Sequence, residues 1–103
     1  MNRLQVAAFY AFTPLNEQQR ESLLINLPTL ASKNNVVGSI LVAHEGVNGT
    51  ISGPALGVEA LLENLRESIA LGGEHFERLE VKRSWADQAV FRRFKARAKK
   101  EIV

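Results

Sequence analysis

Two stretches of the chain hold residues whose types and spacing suit chemistry. The first is HEGVNGTISG at residues 44–53, where a histidine and a glutamate precede glycines at 46, 49 and 53. A glycine-rich bend turns successive main-chain N–H groups toward an anion, and Asn48 and Thr50 would add side-chain donors. The same run is also what a β-hairpin connector needs, because Asn-Gly supplies the positive φ of a type I′ turn. Two readings therefore stand side by side. One is a loop contact surface made by Glu45, Gly46, Asn48, Gly49 and Thr50. The other is a connector in which Asn48 caps the turn and the glycines serve the backbone. Neither the GxxxxGK[ST] nor the GxGxxG phosphate pattern is present.

The second stretch is basic. Residues 78–100 hold nine of the thirteen Lys and Arg side chains but only Glu80 and Asp87 among the eleven acids, a net +7, while the remainder carries four cations against nine acids, a net −5. Such polarisation is an argument about partners, and it favours a polyanion. In FKARAKK, Lys95, Arg97 and Lys99 alternate with Phe94, Ala96 and Ala98. An extended chain would place these cations ~6.6 Å apart along one side. Arg92, Arg93, Lys95, Arg97, Lys99 and Lys100 are the expected contacts to a nucleic-acid backbone, with affinity that falls steeply as salt rises. Trp85, Phe91 and Phe94 lie among these arginines, either as a base-stacking surface or as a seal on a sheet edge.

Several chemistries are excluded or disfavoured. The chain has no cysteine, so it supplies no thiolate, disulfide or cysteine-ligated metal. His44 and His75 are the only histidines and are far apart in sequence, so no metal site is expected; Asp87 is the only aspartate, and no Ser-His-Asp arrangement is evident. No apolar run approaches the ~18 residues of a membrane span. The opening MNRLQVAAFYAF is interrupted by Gln5 and followed by TPLNE, so it reads as a strand, not a signal peptide. The cytoplasm is the expected location.

The elements that must position these residues follow from the pattern of apolar side chains. At 103 residues the chain is one domain with one modest core. LQVAAFYAF (4–12) reads as a strand buried on both faces. Asn16 with Gln19 forms a capping box, and Leu23, Leu27 and Leu30 repeat at helical spacing. Pro28 is expected to end this helix near residue 26, since it removes a donor and clashes with the preceding turn. VVGSILVA (36–43) and a shorter GTIS follow as strands. A second helix begins around Ser52, Gly53 and Pro54, carries Val58, Leu61, Leu62, Leu65 and Ile69 on one face, and stops at Gly72-Gly73. Residues 76–83 form a last strand with Leu79 and Val81 inward. The order is βαββαβ, an α+β ferredoxin-like sandwich with a four-stranded antiparallel sheet and both helices on one face. Residues 1–90 form this domain. Residues 91–103 are a basic extended segment, either a further strand or a linker, and the uncapped Ile102-Val103 end reads as a cut within a longer chain.

Three blocks, EGVNGTISG (45–53), LEVKRSWADQAVFRR (79–93) and FKARAKKEIV (94–103), resemble the N-terminal domain of the rhodanese-related bacterial tRNA uridine hydroxylases. The resemblance runs in order over essentially the whole chain. It implies an acylphosphatase-like domain followed by a rhodanese domain that bears a cysteine, with tRNA as substrate. The complete proteins hydroxylate a wobble uridine at C5, with molecular oxygen as co-substrate. It further implies no cofactor in this segment and no activity from this segment alone. The basic residues would then bind tRNA, and the 45–50 loop would face the catalytic domain or the flipped-out nucleotide. Two alternatives are a structural docking domain without RNA contact and a stand-alone acylphosphatase-like hydrolase. The hydrolase would need an arginine in a phosphate-cradling loop after the first strand, where this chain has TPLNEQQR.

Overall fold

The structure, a computed structural model, describes residues 3–70, 79–88 and 91–99. Its elements run β1 (Leu4–Phe12), α1 (Glu17–Lys33), β2 (Val37–Ala43), β3 (Gly46–Gly53), α2 (Ala55–Ala70), β4 (Glu80–Ala86) and β5 (Phe94–Ala98). The sheet order is β4-β1-β3-β2-β5. The first four neighbours pair antiparallel, which gives the expected ferredoxin-like arrangement. β5 is added beside β2 in parallel, so the sheet has five strands and is mixed, where four antiparallel strands were expected. FKARA suits that edge: its backbone pairs with β2, Phe94 and Ala96 turn to the helix-covered face where Phe94 packs against the core, and Lys95 and Arg97 turn to water.

The core lies between the sheet and the two helices. From α1 it takes Leu23, Leu27 and Ala31, spaced four apart, and from α2 Val58, Leu61, Leu62 and Leu65; these meet Phe9, Ile40, Val42, Val47 and Ile51 of the sheet. Asn16 caps α1 as expected: its side chain accepts from the Gln19 N–H at 2.8 Å, and the Gln19 side chain accepts from the Asn16 N–H at 2.8 Å.

Pro28 does not end α1, which continues to Lys33. Leu27 and Ala31 are fully buried on either side of it, and burying that extra turn outweighs one lost helix bond. Pro54 also differs from expectation. Its carbonyl accepts the first bond of α2 from Val58 at 3.0 Å, so it precedes the helix instead of sitting in its first turn. Leu79 and Val81 pack against the core as expected. The Gly72-Gly73 stop, His75 and residues 76–78 lie outside the described residues.

β1 is not buried on both faces. Gln5, Ala7, Phe9 and Ala11 are buried, whereas Ala8, Tyr10 and Phe12 are exposed. Both helices pack on one side, so the alternate residues of every strand face outward.

Candidate nucleic-acid interface

The outward face is built in rows set by strand register. One row runs Glu80, Tyr10, Asn48, Leu41 and Arg97 across β4, β1, β3, β2 and β5; the next runs Lys82, Ala8, Thr50, Ser39 and Lys95. Each row thus ends in a cation on β5, and Lys82 stands at the opposite edge. Tyr10 and Phe12 project from the central strand β1, each 48% exposed. Their ring centroids are 5.7 Å apart with the planes inclined by 59°. A shallow depression of about 740 Å³ borders the rings, with Asn48, Thr50, Glu80 and Lys82 around it. Exposure rises along β1: Leu4 and Val6 are half-buried, and Ala8, Tyr10 and Phe12 are open.

The basic segment divides. Lys95 and Arg97 are exposed on the outward face, Arg92 and Arg93 are exposed on the approach to β5, and Lys99 follows the strand. The Arg93 carbonyl accepts from the Gly38 N–H and the Lys99 N–H donates to the Val42 carbonyl, both at 2.9 Å, so main-chain bonds fix the ends of the cationic edge. Among the described residues, none of these five cations is in an ion pair. Lys100 lies outside the described residues. Arg83 is committed elsewhere. It faces the helices and grips Glu59 of α2 with two bonds of 2.8 and 2.9 Å. That pairing lowers the Glu59 pKa, chiefly through the Arg83 hydrogen bond, and raises that of Arg83.

Of the 45–50 run only Glu45 lies in a loop. The β2–β3 turn consists of His44 and Glu45 alone, closed by the Ala43–Gly46 pair, so Gly46, Asn48, Gly49 and Thr50 belong to β3. The Asn-Gly dipeptide therefore sits inside a strand and does not form the turn. Gly46 carries the positive φ, 141°, and any Cβ there would collide with the Ala11 carbonyl. Gly49 lies on the covered face, where a Cβ would strike the backbone of Ser39 and Ile40 and the Phe9 ring. Asn48 and Thr50 alternate with Gly49 and so share the outward face with Tyr10 and Lys95.

Trp85, Phe91 and Phe94 do not form one stacking surface, because β4 and β5 are opposite edges of the sheet. Phe94 packs against the core, and Trp85 is half-exposed with the Arg3 guanidinium 5.3 Å from its ring centre. A second, smaller cleft of about 310 Å³ brings Arg20, His44 and Lys99 to the sheet end beside the α1 N-terminus. No cluster of metal-binding side chains occurs among the described residues.

Sequence reasoning missed Tyr10 and Phe12. The signal was present: every outward position of β1 (Leu4, Val6, Ala8, Tyr10, Phe12) is apolar. A strand apolar on both faces is buried twice or carries a bare apolar face, and sequence periodicity does not separate the two.

Fold and surface together define an α+β sandwich of the ferredoxin-like, acylphosphatase-like class, with one sheet face left uncovered by its helices. Two solved structures share this fold: a BLUF protein, BlrB, in its dark state (12% identical, TM-score 0.68, 95% of this chain and 73% of that one) and an acylphosphatase from Coxiella burnetii (15% identical, TM-score 0.57, 95% and 94%). At such identities the likeness is one of fold. The chain belongs to the family described as the UPF0176 acylphosphatase like domain, whose model matches residues 4–102. It is 84% identical over 103 residues to a tRNA uridine(34) hydroxylase of Synechococcus sp. (strain CC9902) and 72% identical over 103 residues to one of Parasynechococcus marenigrum (strain WH8102). It spans about a third of the length of these relatives, 34% and 32%. The resemblance read from the three sequence blocks is thereby borne out. No helix among the described residues is long and apolar enough to cross a membrane.

Proposed function

We propose that this chain is the N-terminal domain of a cytoplasmic tRNA uridine(34) hydroxylase and that it binds the tRNA on which the rest of the enzyme acts. The observation that carries this reading is the 84% identity over all 103 residues to a relative of that name. With no cysteine the chain supplies no thiol nucleophile of its own, and the reading gives it a binding and positioning role. The thiol-bearing rhodanese domain and the use of molecular oxygen belong to the remainder of the longer protein. Arg92, Arg93, Lys95, Arg97, Lys99 and Lys100 are the phosphate contacts, and Asn48 and Thr50 lie inward of them. An acylphosphatase-like hydrolysis is not favoured: the β1–α1 connection, Thr13 to Asn16, contains no glycine to cradle a phosphate.

Two measurements test this. The chain should retard tRNA in a gel, with affinity falling as salt rises from 50 to 200 mM. In cells lacking the full-length enzyme, restoring it with Lys95→Ala and Arg97→Ala should lower wobble-uridine hydroxylation, read by mass spectrometry of digested tRNA. An absence of salt-sensitive tRNA binding by the chain would sink the binding role, and full hydroxylation by that variant would remove Lys95 and Arg97 from it.

A further inference from the structure

We propose that the outward face of the sheet is a base-stacking platform for a single-stranded stretch of RNA, with bases laid on Tyr10 and Phe12 and phosphates held by Lys82, Lys95 and Arg97. The inference rests on the binding role above and assigns it a surface and a substrate form. Burial on this face is anomalous. β1 is flanked on both sides in the sheet, yet two of its aromatic side chains stand 48% exposed next to each other. A one-sided sheet normally turns polar residues to water. Here the outward positions of β1 are all apolar, and Ala8 beside Tyr10 leaves room at the ring face.

The chemistry around the rings identifies the occupant. Lys82 lies on the neighbouring strand β4, while Lys95 and Arg97 lie three strand gaps from β1 on the other side, ~14 Å away. Cations therefore flank the aromatic pair, and none of the three is in an ion pair among the described residues. Tyrosine, phenylalanine and arginine also suit the centre of a protein interface, but lysine is depleted there, so Lys82 and Lys95 favour a polyanion. A polyanion with planar apolar groups fits both halves of the surface. The 59° between the rings does not suit two bases stacked on each other, as in a duplex; it suits bases splayed apart, as in a loop. Four-stranded sheets with outward aromatics are known to stack single-stranded RNA bases in this manner, and β5 adds a cationic fifth strand here. The Glu80 carboxylate beside Tyr10 disfavours a phosphate at that position, so the backbone should run on the Lys82 and β5 sides of the rings.

The test compares two fluorescein-labelled probes by anisotropy: a seven-nucleotide single-stranded RNA and an abasic ribose-phosphate chain of equal length. The 103-residue chain should bind the RNA at least about tenfold more tightly than the abasic probe. Tyr10→Ala with Phe12→Ala should bring RNA affinity down to the abasic level, and Tyr10→Phe should keep the discrimination. Lys95→Ala with Arg97→Ala should weaken both probes alike. Equal binding of the two probes by the unaltered chain overturns the platform, a comparison that does not depend on any variant folding. If tRNA still binds in a salt-sensitive manner in that case, the binding role survives; if nothing binds, both fall. In the full-length protein, hydrogen exchange at residues 8–12 should slow when the RNA probe is added. Slow exchange there without RNA, unchanged on its addition, would identify an interface with another domain and overturn the platform.

Discussion

The two faces of one sheet, made by alternate residues of the same strands, have opposite character. On the covered side Ala7, Phe9, Ile40, Val47 and Ile51 are buried against α1 and α2. On the outward side Tyr10, Phe12, Lys82, Lys95 and Arg97 are exposed. One face holds the molecule together, and the other is available to meet something else. Residues one position apart in sequence thus answer to different demands.

The two faces should differ most in stability. Leu62→Ala, fully buried on α2, should cost about 3 kcal/mol, seen as a lower urea midpoint and a melting temperature lower by more than ~10 °C. Phe12→Ala on the outward face should cost under ~1 kcal/mol. Equal losses would mean that the outward face is structural too. Next in size, Gly49→Ala puts a methyl against strand backbone and should cost about 2 kcal/mol, while Thr50→Ala beside it should stay within ~0.5 kcal/mol by thermal melting.

Lys95→Ala with Arg97→Ala alters the outward face alone. Stability should change by less than ~0.5 kcal/mol, but the slope of log K against log salt for single-stranded RNA should shrink by about 1.4. The smallest effect concerns the Arg83–Glu59 bridge, which faces the helices and is over a third exposed at both ends. Glu59→Gln should cost about 0.5 kcal/mol at pH 7. Because Glu59 titrates below its ordinary value of 4.5 when folded, its contribution is complete above that pH and disappears as pH falls through the lower folded value. Urea midpoints of the two proteins should therefore differ at pH 7 and converge near pH 2.

Much of the fold was legible because its signals are local. The capping box at Asn16 and Gln19, the apolar face of α2 and the inward Leu79 and Val81 follow from neighbouring residues, and each is present. The errors arose where distant partners decide. Pro28 marks a helix end by its own chemistry, but burial of Ala31 against the rest of the core carries α1 past it. Asn48-Gly49 is a turn dipeptide by propensity, but pairing with β1 and β2 on both sides draws it into the middle of β3. The candidate site was half legible. The cation period of β5 could be read from sequence, whereas the strand it joins, and hence the face it shares with Tyr10, could not.

Which residues follow one another was enough to give the first six elements, the asymmetry of charge and the family. Tertiary structure alone decided that β5 pairs parallel with β2, that the His44-Glu45 pair makes the turn, and that Tyr10 and Phe12 remain uncovered. The physical reason is that a strand's alternation defines two faces without naming which one is buried. That choice is made by where the helices pack.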